Sequence, residues 1–219
     1  MRTMAKAALA AAAWAGSFPA PAAAVGFGIS SGVDYQDRSF VTGSIEYDCR
    51  QVLFFIQPRL DLGSGWNLYA RIGYSNLVYD RPSQGGRDYD EWGYEWGAGL
   101  GWTPFRWSGF YLGTEGGFSM TRTSASSGDV DYLNWGVDIK GGWDLGVVDA
   151  FVGGAYDDGL IRDSPPSDAA DSSRKDYRLE HPLSFFAGAR IDVPFLPRIE
   201  GRYYFGEDRL ALLALAYDF

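Results

Sequence analysis

The sequence predicts an all-β protein: a single up-and-down antiparallel β-barrel that crosses a membrane with its strands. Three observations point there. Apolar and polar or glycine residues alternate over segments of about ten residues, the period of a strand with two unlike faces. Beyond the N-terminus no apolar run is long enough for a membrane helix, the longest being Leu210 to Tyr217. The connectors between alternating segments are short and long in turn, as in barrels with tight turns at one end and loops at the other.

Composition narrows the reading. The 219 residues include 29 Gly, 8 Trp, 14 Tyr and 14 Phe, but 1 Cys and 1 His. So aromatic a chain is not disordered. One cysteine excludes a disulfide scaffold or a Cys-rich zinc module. Nineteen basic against 28 acidic residues give a net charge of −9, which argues against a nucleic-acid partner. Cys49 reads as a small buried apolar side chain.

Residues 1–24 read as a secretory signal peptide. Arg2 and Lys6 precede the apolar run Ala7 to Ala15, Pro19 and Pro21 end any helix, and Ala22-Ala23-Ala24 supplies the small residues of a cleavage site after Ala24. The expected mature domain is 25–219, with 17 basic and 28 acidic residues and a net charge of −11.

The strands follow in order near 25–35, 52–62, 66–79, 92–103, 109–121, 132–144, 148–156, 181–193, 198–205 and 209–219. The clearest is Trp92 to Trp102. Trp92, Tyr94, Trp96, Ala98, Leu100 and Trp102 share one face, and Gly93, Glu95, Gly97, Gly99 and Gly101 share the other. Glycine beside a carboxylate suits a crowded lumen, and aromatics suit lipid. Ten strands place both termini on one side; eight is the alternative count. Residues 36–51 read as an external extension of the first hairpin. The short connectors are Gly63–Gly65, Pro104–Ser108, Gly146–Val147 and Pro194–Pro197. The long ones are Asp80–Glu91, Arg122–Asp131 and Asp157–Glu180, and the last external one, Gly206–Asp208, is short.

Aromatic placement gives two expected girdles. Trp66, Trp102, Trp107 and Trp143 flank the short turns. Tyr79, Trp92, Tyr132 and Tyr156, with Tyr177, lie toward the long loops. The C-terminal run with Leu213, Leu215, Tyr217 and a final Phe219 resembles the signal that outer-membrane barrels present to their assembly machinery. Trp107-Ser108-Gly109-Phe110-Tyr111-Leu112-Gly113 resembles a strand motif of the opacity-protein/OmpA-like barrel superfamily of Gram-negative bacteria. The resemblance implies the bacterial outer membrane. Its partners would be outer-membrane lipid, lipopolysaccharide and the barrel-assembly machinery. That superfamily serves many functions, so no reaction is implied.

The expected lumen carries Arg59, Asp61, Arg71, Glu95, Glu115, Asp138, Lys140, Asp144, Arg190, Asp192, Arg198, Glu200 and Arg202. A charge on the lipid face would cost about 2–4 kcal/mol at the midplane, so these residues must face inward and pair. They read first as a salt-bridge network filling a narrow barrel and second as an ion path. Inward glycine suits some free space, or lets a large neighbouring side chain lie flat. The acids Asp157-Asp158 and Asp88-Tyr89-Asp90-Glu91 have oxygen ligands but no complete cation spacing, so they read as turn residues and no metal or cofactor is expected.

His181 sits at the height where barrel hydrolases keep a histidine, with Asp176, Glu180 and Ser184 nearby. Three residues apart on a strand, His181 and Ser184 point to opposite faces, so the nucleophile–base hydrogen bond is missing and no enzyme is expected. The leading expectation is a non-enzymatic barrel displaying surface loops, with Asp157–Glu180 as a ligand-contact segment. A narrow passive pore and a lipid-directed hydrolase are the alternatives.

Overall fold

The computed structural model describes residues 25–43, 45–81, 87–125, 128–164, 175–206 and 209–219. The proposed signal peptide lies outside these residues. Eleven antiparallel strands make one sheet: β1 Gly26–Thr42, β2 Ile45–Gly63, β3 Trp66–Arg81, β4 Arg87–Trp107, β5 Phe110–Ala125, β6 Gly128–Asp144, β7 Val148–Ser164, β8 Lys175–Leu179, β9 Leu183–Ile191, β10 Arg198–Phe205 and β11 Arg209–Asp218. Neighbours in sequence pair except β8 and β9, and β11 returns to β1 from Gly28↔Asp218 to Asp37↔Arg209, which closes the barrel.

The ring closes twice. At membrane height it holds ten strands, β1–β7 with β9, β10 and β11, because β9 pairs with β7 and β10. Above the tip of the β10–β11 hairpin, β8 takes over. It pairs with β7 through Leu160↔Arg178 to Asp163↔Lys175 and with β1 through Phe40↔Leu179 and Val41↔Arg178. There the ring holds eight strands. β8 and β9 are one descending strand interrupted at Glu180-His181-Pro182. The break stays tied to its neighbours: Asp157 N–H donates to the Pro182 carbonyl at 2.8 Å, and Glu180 N–H to the Ser39 carbonyl at 2.9 Å.

Strand lengths divide the barrel into two parts. β9, β10 and β11 have 9, 8 and 10 residues, close to the roughly 9–11 that cross a bilayer. β1–β7 run to between 16 and 21 residues. Their excess forms a walled column above the membrane. Ten spanning strands match the sequence expectation, and residues 36–51 extend the first hairpin to Thr42↔Ile45.

Several boundaries differ from the sequence reading. Residues 157–164 continue β7 and 175–179 form β8, so of the expected loop Asp157–Glu180 only 165–174 lie outside the described residues. The loops expected at Asp80–Glu91 and Arg122–Asp131 are likewise largely strand. Pro104 does not start a turn. β4 takes a bulge between Trp102 and Phe105 and runs to Trp107, leaving Ser108 (φ 49°) and Gly109 (φ 86°) as the turn. Ser64 (φ 52°) and Gly65 (φ 80°) repeat this left-handed pair, the hairpin geometry whose twist matches its strands.

The exterior at membrane height is apolar: Phe54, Ile56, Ile72, Trp96, Phe118, Ile139, Phe185 and Leu213 are all exposed. A water-soluble chain does not leave such a continuous surface open. Trp66 stacks on Trp102 at 5.1 Å at the turn end, and Tyr74 on Trp92 at 5.1 Å toward the other.

Candidate functional site

The site is the lumen, and its character changes with the strand count. An eight-stranded ring is just wide enough for side chains to fill. Inside the column Phe40, Cys49, Leu77, Tyr79, Tyr89, Val130, Tyr132, Ile161, Tyr177 and Leu179 form one buried apolar cluster. Phe40 packs edge-on to Tyr132 at 5.6 Å, Tyr79 meets Tyr89 at 5.2 Å, and Tyr47 meets Tyr177 at 5.3 Å. Tyr79 and Tyr132, expected in the outer girdle, therefore point inward at 3% and 4% exposure, as does Tyr177. They stand above the bilayer, where the polar face of the strand is outside and the apolar face is the core.

A polar layer lies under this plug. Gln51 Nε2 donates to Ser75 Oγ at 2.8 Å, to Thr121 Oγ1 at 2.9 Å and to Glu95 Oε2 at 3.3 Å. Thr121 Oγ1 donates to Glu95 Oε2 at 2.9 Å. Buried polar groups are tolerable when joined in this way. Beneath it Arg71 meets Asp34 at 2.7 Å and Glu95 at 3.5 Å, with its guanidinium 4.2 Å over the Phe55 ring.

Where the ring widens to ten strands, a cavity of about 760 Å³ opens, lined down to Gly63, Gly65 and Gly146 of the turns. The charges on its wall are paired. Arg202 reaches Glu200 at 2.7 Å and Asp138 at 3.3 Å. Lys140 reaches Glu115 at 3.7 Å, and Arg190 reaches Glu200 at 2.9 Å and Asp149 at 3.3 Å. Nearer the mouth Arg59 meets Asp61 at 3.2 Å and Asp218 at 2.9 Å, and Arg198 meets Asp192 at 3.2 Å. Asp144 instead accepts from Gly146 N–H at 2.9 Å and shapes a turn. Glycine makes the crowding possible: a Cβ at Gly99 would lie 2.2 Å from the Tyr69 ring, and one at Gly142 2.5 Å from Tyr111.

The sequence reading missed Asp34, Asp149, Asp157 and Asp218 as lumen acids. The sequence reading makes Asp157, beside Asp158, a turn residue. In β7 it faces inward and meets Arg38 at 3.1 Å, while Asp158 faces outward, so the pair cannot share an ion. Alternation carried one residue past Tyr156 places it inward, but Asp157-Asp158-Gly159 has the composition of a turn. On the other candidate run, Asn76 donates to Asp90 at 2.8 Å. Among the described residues no group of three His, Cys, Asp or Glu could hold a metal ion. His181 lies in the β8–β9 break with Glu180 at 3.8 Å, and Ser184 is buried on the inward face of β9.

A closed antiparallel barrel with an apolar belt, ringed by aromatics and enclosing a charged lumen, is a transmembrane β-barrel of the bacterial outer-membrane type. No family model matches the chain, and no curated protein matches it. Among solved structures it is similar to the translocator domain of autotransporter NalP from Neisseria meningitidis, at 11% identity and TM-score 0.48, covering 100% of this chain and 96% of that one. It is also similar to the outer membrane protease OmpT from Escherichia coli, at 12% identity and TM-score 0.44, covering 89% and 95%. A third is an outer membrane channel from Pseudomonas putida, at 10% identity and TM-score 0.46, covering 93% and 98%. Scores and identities are low, and the class rests on this chain's own geometry.

Proposed function

We propose that this protein is a closed, non-enzymatic outer-membrane barrel that holds a rigid column and its loops at the cell surface, for envelope integrity, adhesion or ligand contact. The observation that supports this reading is the filled eight-stranded ring. Its apolar cluster lies across the only axis along which a solute could cross, while the ten-stranded part below is a cup facing the turn end. A pore needs a wet path from end to end. The column stands beyond the lipid, and within Asp157–Glu180 the outward-facing residues of β7 and β8 offer the ligand contact. Lipid and lipopolysaccharide surround the belt, and Leu213, Leu215, Tyr217 and Phe219 serve the assembly machinery. His181 belongs to the strand joint in this reading, so His181→Ala leaves lipid turnover unchanged.

Osmotic swelling of vesicles carrying the folded barrel tests closure: no uptake of a small sugar such as arabinose is expected, and rapid uptake would refute it. Deleting 165–174 tests display. Cells should lose surface attachment while the folded barrel, seen by its heat-dependent gel mobility, persists.

A further inference from the structure

The turn end of the barrel is not uniform. Going round the ring, the turns after β4, β6 and β9 are consecutive, and backbone hydrogen bonds join them: Asp144 N–H donates to the Gly109 carbonyl at 2.8 Å, and Asp192 N–H to the Val147 carbonyl at 2.8 Å. Within it the turns after β6 and β9 expose large apolar side chains past the ends of the strands. Leu145 is 69% exposed, Leu196 63%, and Phe195 fully. The turn after β2, Gly63–Ser64–Gly65, offers none.

Phe195 is the unusual residue. In the turn from Val193 to Leu196, closed by the Leu196 N–H bond to the Val193 carbonyl at 3.1 Å, Pro194 and Phe195 take the two central positions. The second has φ 71°. Such turns ordinarily place glycine or asparagine there, because a Cβ is strained at positive φ. Here an aromatic ring accepts that strain and points away from the rest of the protein. In water both facts oppose stability. At an interface the ring is removed from water and the exposure becomes favourable. The patch is also continuous with the lipid-facing belt, through Val193 and the last residue of β9, Ile191, and through Trp143 beside Leu145.

We propose that this sector inserts into the phospholipid of the periplasmic leaflet, so that the barrel sits deeper on the β6–β9 side than at the Gly63–Gly65 turn. The test uses the full mature chain in vesicles of phosphatidylethanolamine and phosphatidylglycerol, with Cys49→Ala to leave one label site. Nitroxide labels are placed by Phe195→Cys, Leu196→Cys or Ser64→Cys, and gel mobility certifies folding. Accessibility is read by power saturation with oxygen and a water-soluble nickel chelate. The expected result is an oxygen-to-nickel ratio several-fold higher at 195 and 196 than at 64. Equal ratios, whether all aqueous or all immersed, would overturn the proposal. So would aqueous values at 195 and 196, which would leave the patch to a periplasmic protein instead.

Discussion

The Arg38–Asp157 pair spans the place where the barrel changes strand number, and it gives the sharpest energetic prediction. Arg38 is on β1 and Asp157 on β7. Between them in the ring stand the β8–β9 break and the tip of the β10–β11 hairpin. The charged atoms are 3.1 Å apart, with side chains 5% and 20% exposed. At an effective dielectric constant of about 20 their attraction is about 5 kcal/mol, most of it offset by desolvation. Removing Asp157 takes from the buried Arg38 guanidinium its carboxylate at 3.1 Å. Asp157→Ala should destabilise the barrel by about 3–5 kcal/mol, as for other broken buried pairs. The double change Arg38→Met with Asp157→Leu restores a neutral interior and should be milder than Asp157→Ala alone. The assay is urea unfolding in vesicles, followed by tryptophan fluorescence and gel mobility. If Asp157→Ala costs under about 0.5 kcal/mol, the size expected of an ordinary surface change, or if the double change equals the sum of the singles, the pair does not lace the joint.

Three further outcomes follow from packing. Leu77, fully buried in the plug, should lose about 2–5 kcal/mol on Leu77→Ala, measured by the same unfolding curve. Gly99→Val forces a Cβ to 2.2 Å from the Tyr69 ring and 2.6 Å from the Gly116 carbonyl, so overpacking should cost at least about 1–3 kcal/mol, and Tyr69→Ala should relieve part of it. Cys49, 3% exposed, should resist maleimide in the folded barrel and react freely in urea; equal rates would mean that the column opens.

Much of this was legible from the period of the sequence. The run Trp92–Trp102 displays both faces of β4, and Glu95 and Arg71 fell on the inward face because a charge toward lipid is too unfavourable. The alternation names the face but not what the face touches. Tyr79 shares the strand parity of Arg71, and Tyr132 that of Asp138, so the alternation already turns both inward; their aromatic type and height suggested the girdle, but above the bilayer the inward face is an apolar core. β8 has five residues, with only Tyr177 and Leu179 as apolar alternates beside a Ser-, Asp- and Pro-rich run, too short a pattern to register. Its pairing with both β7 and β1 depends on the β10–β11 hairpin being short, a long-range fact that no local window contains. The plug follows from that same fact, and so was not visible in the sequence.

The central claim is that eight strands close what ten strands open. Single-channel conductance of the refolded mature protein in a planar bilayer tests it most directly, beside a variant carrying Tyr79→Gly, Tyr89→Gly and Tyr177→Gly. The wild type should stay silent while the variant, folded by its gel mobility, gives steady openings through the emptied column. Steady openings from the wild type, altered by Glu95→Gln or Arg71→Gln, would contradict the account and make the lumen a pore.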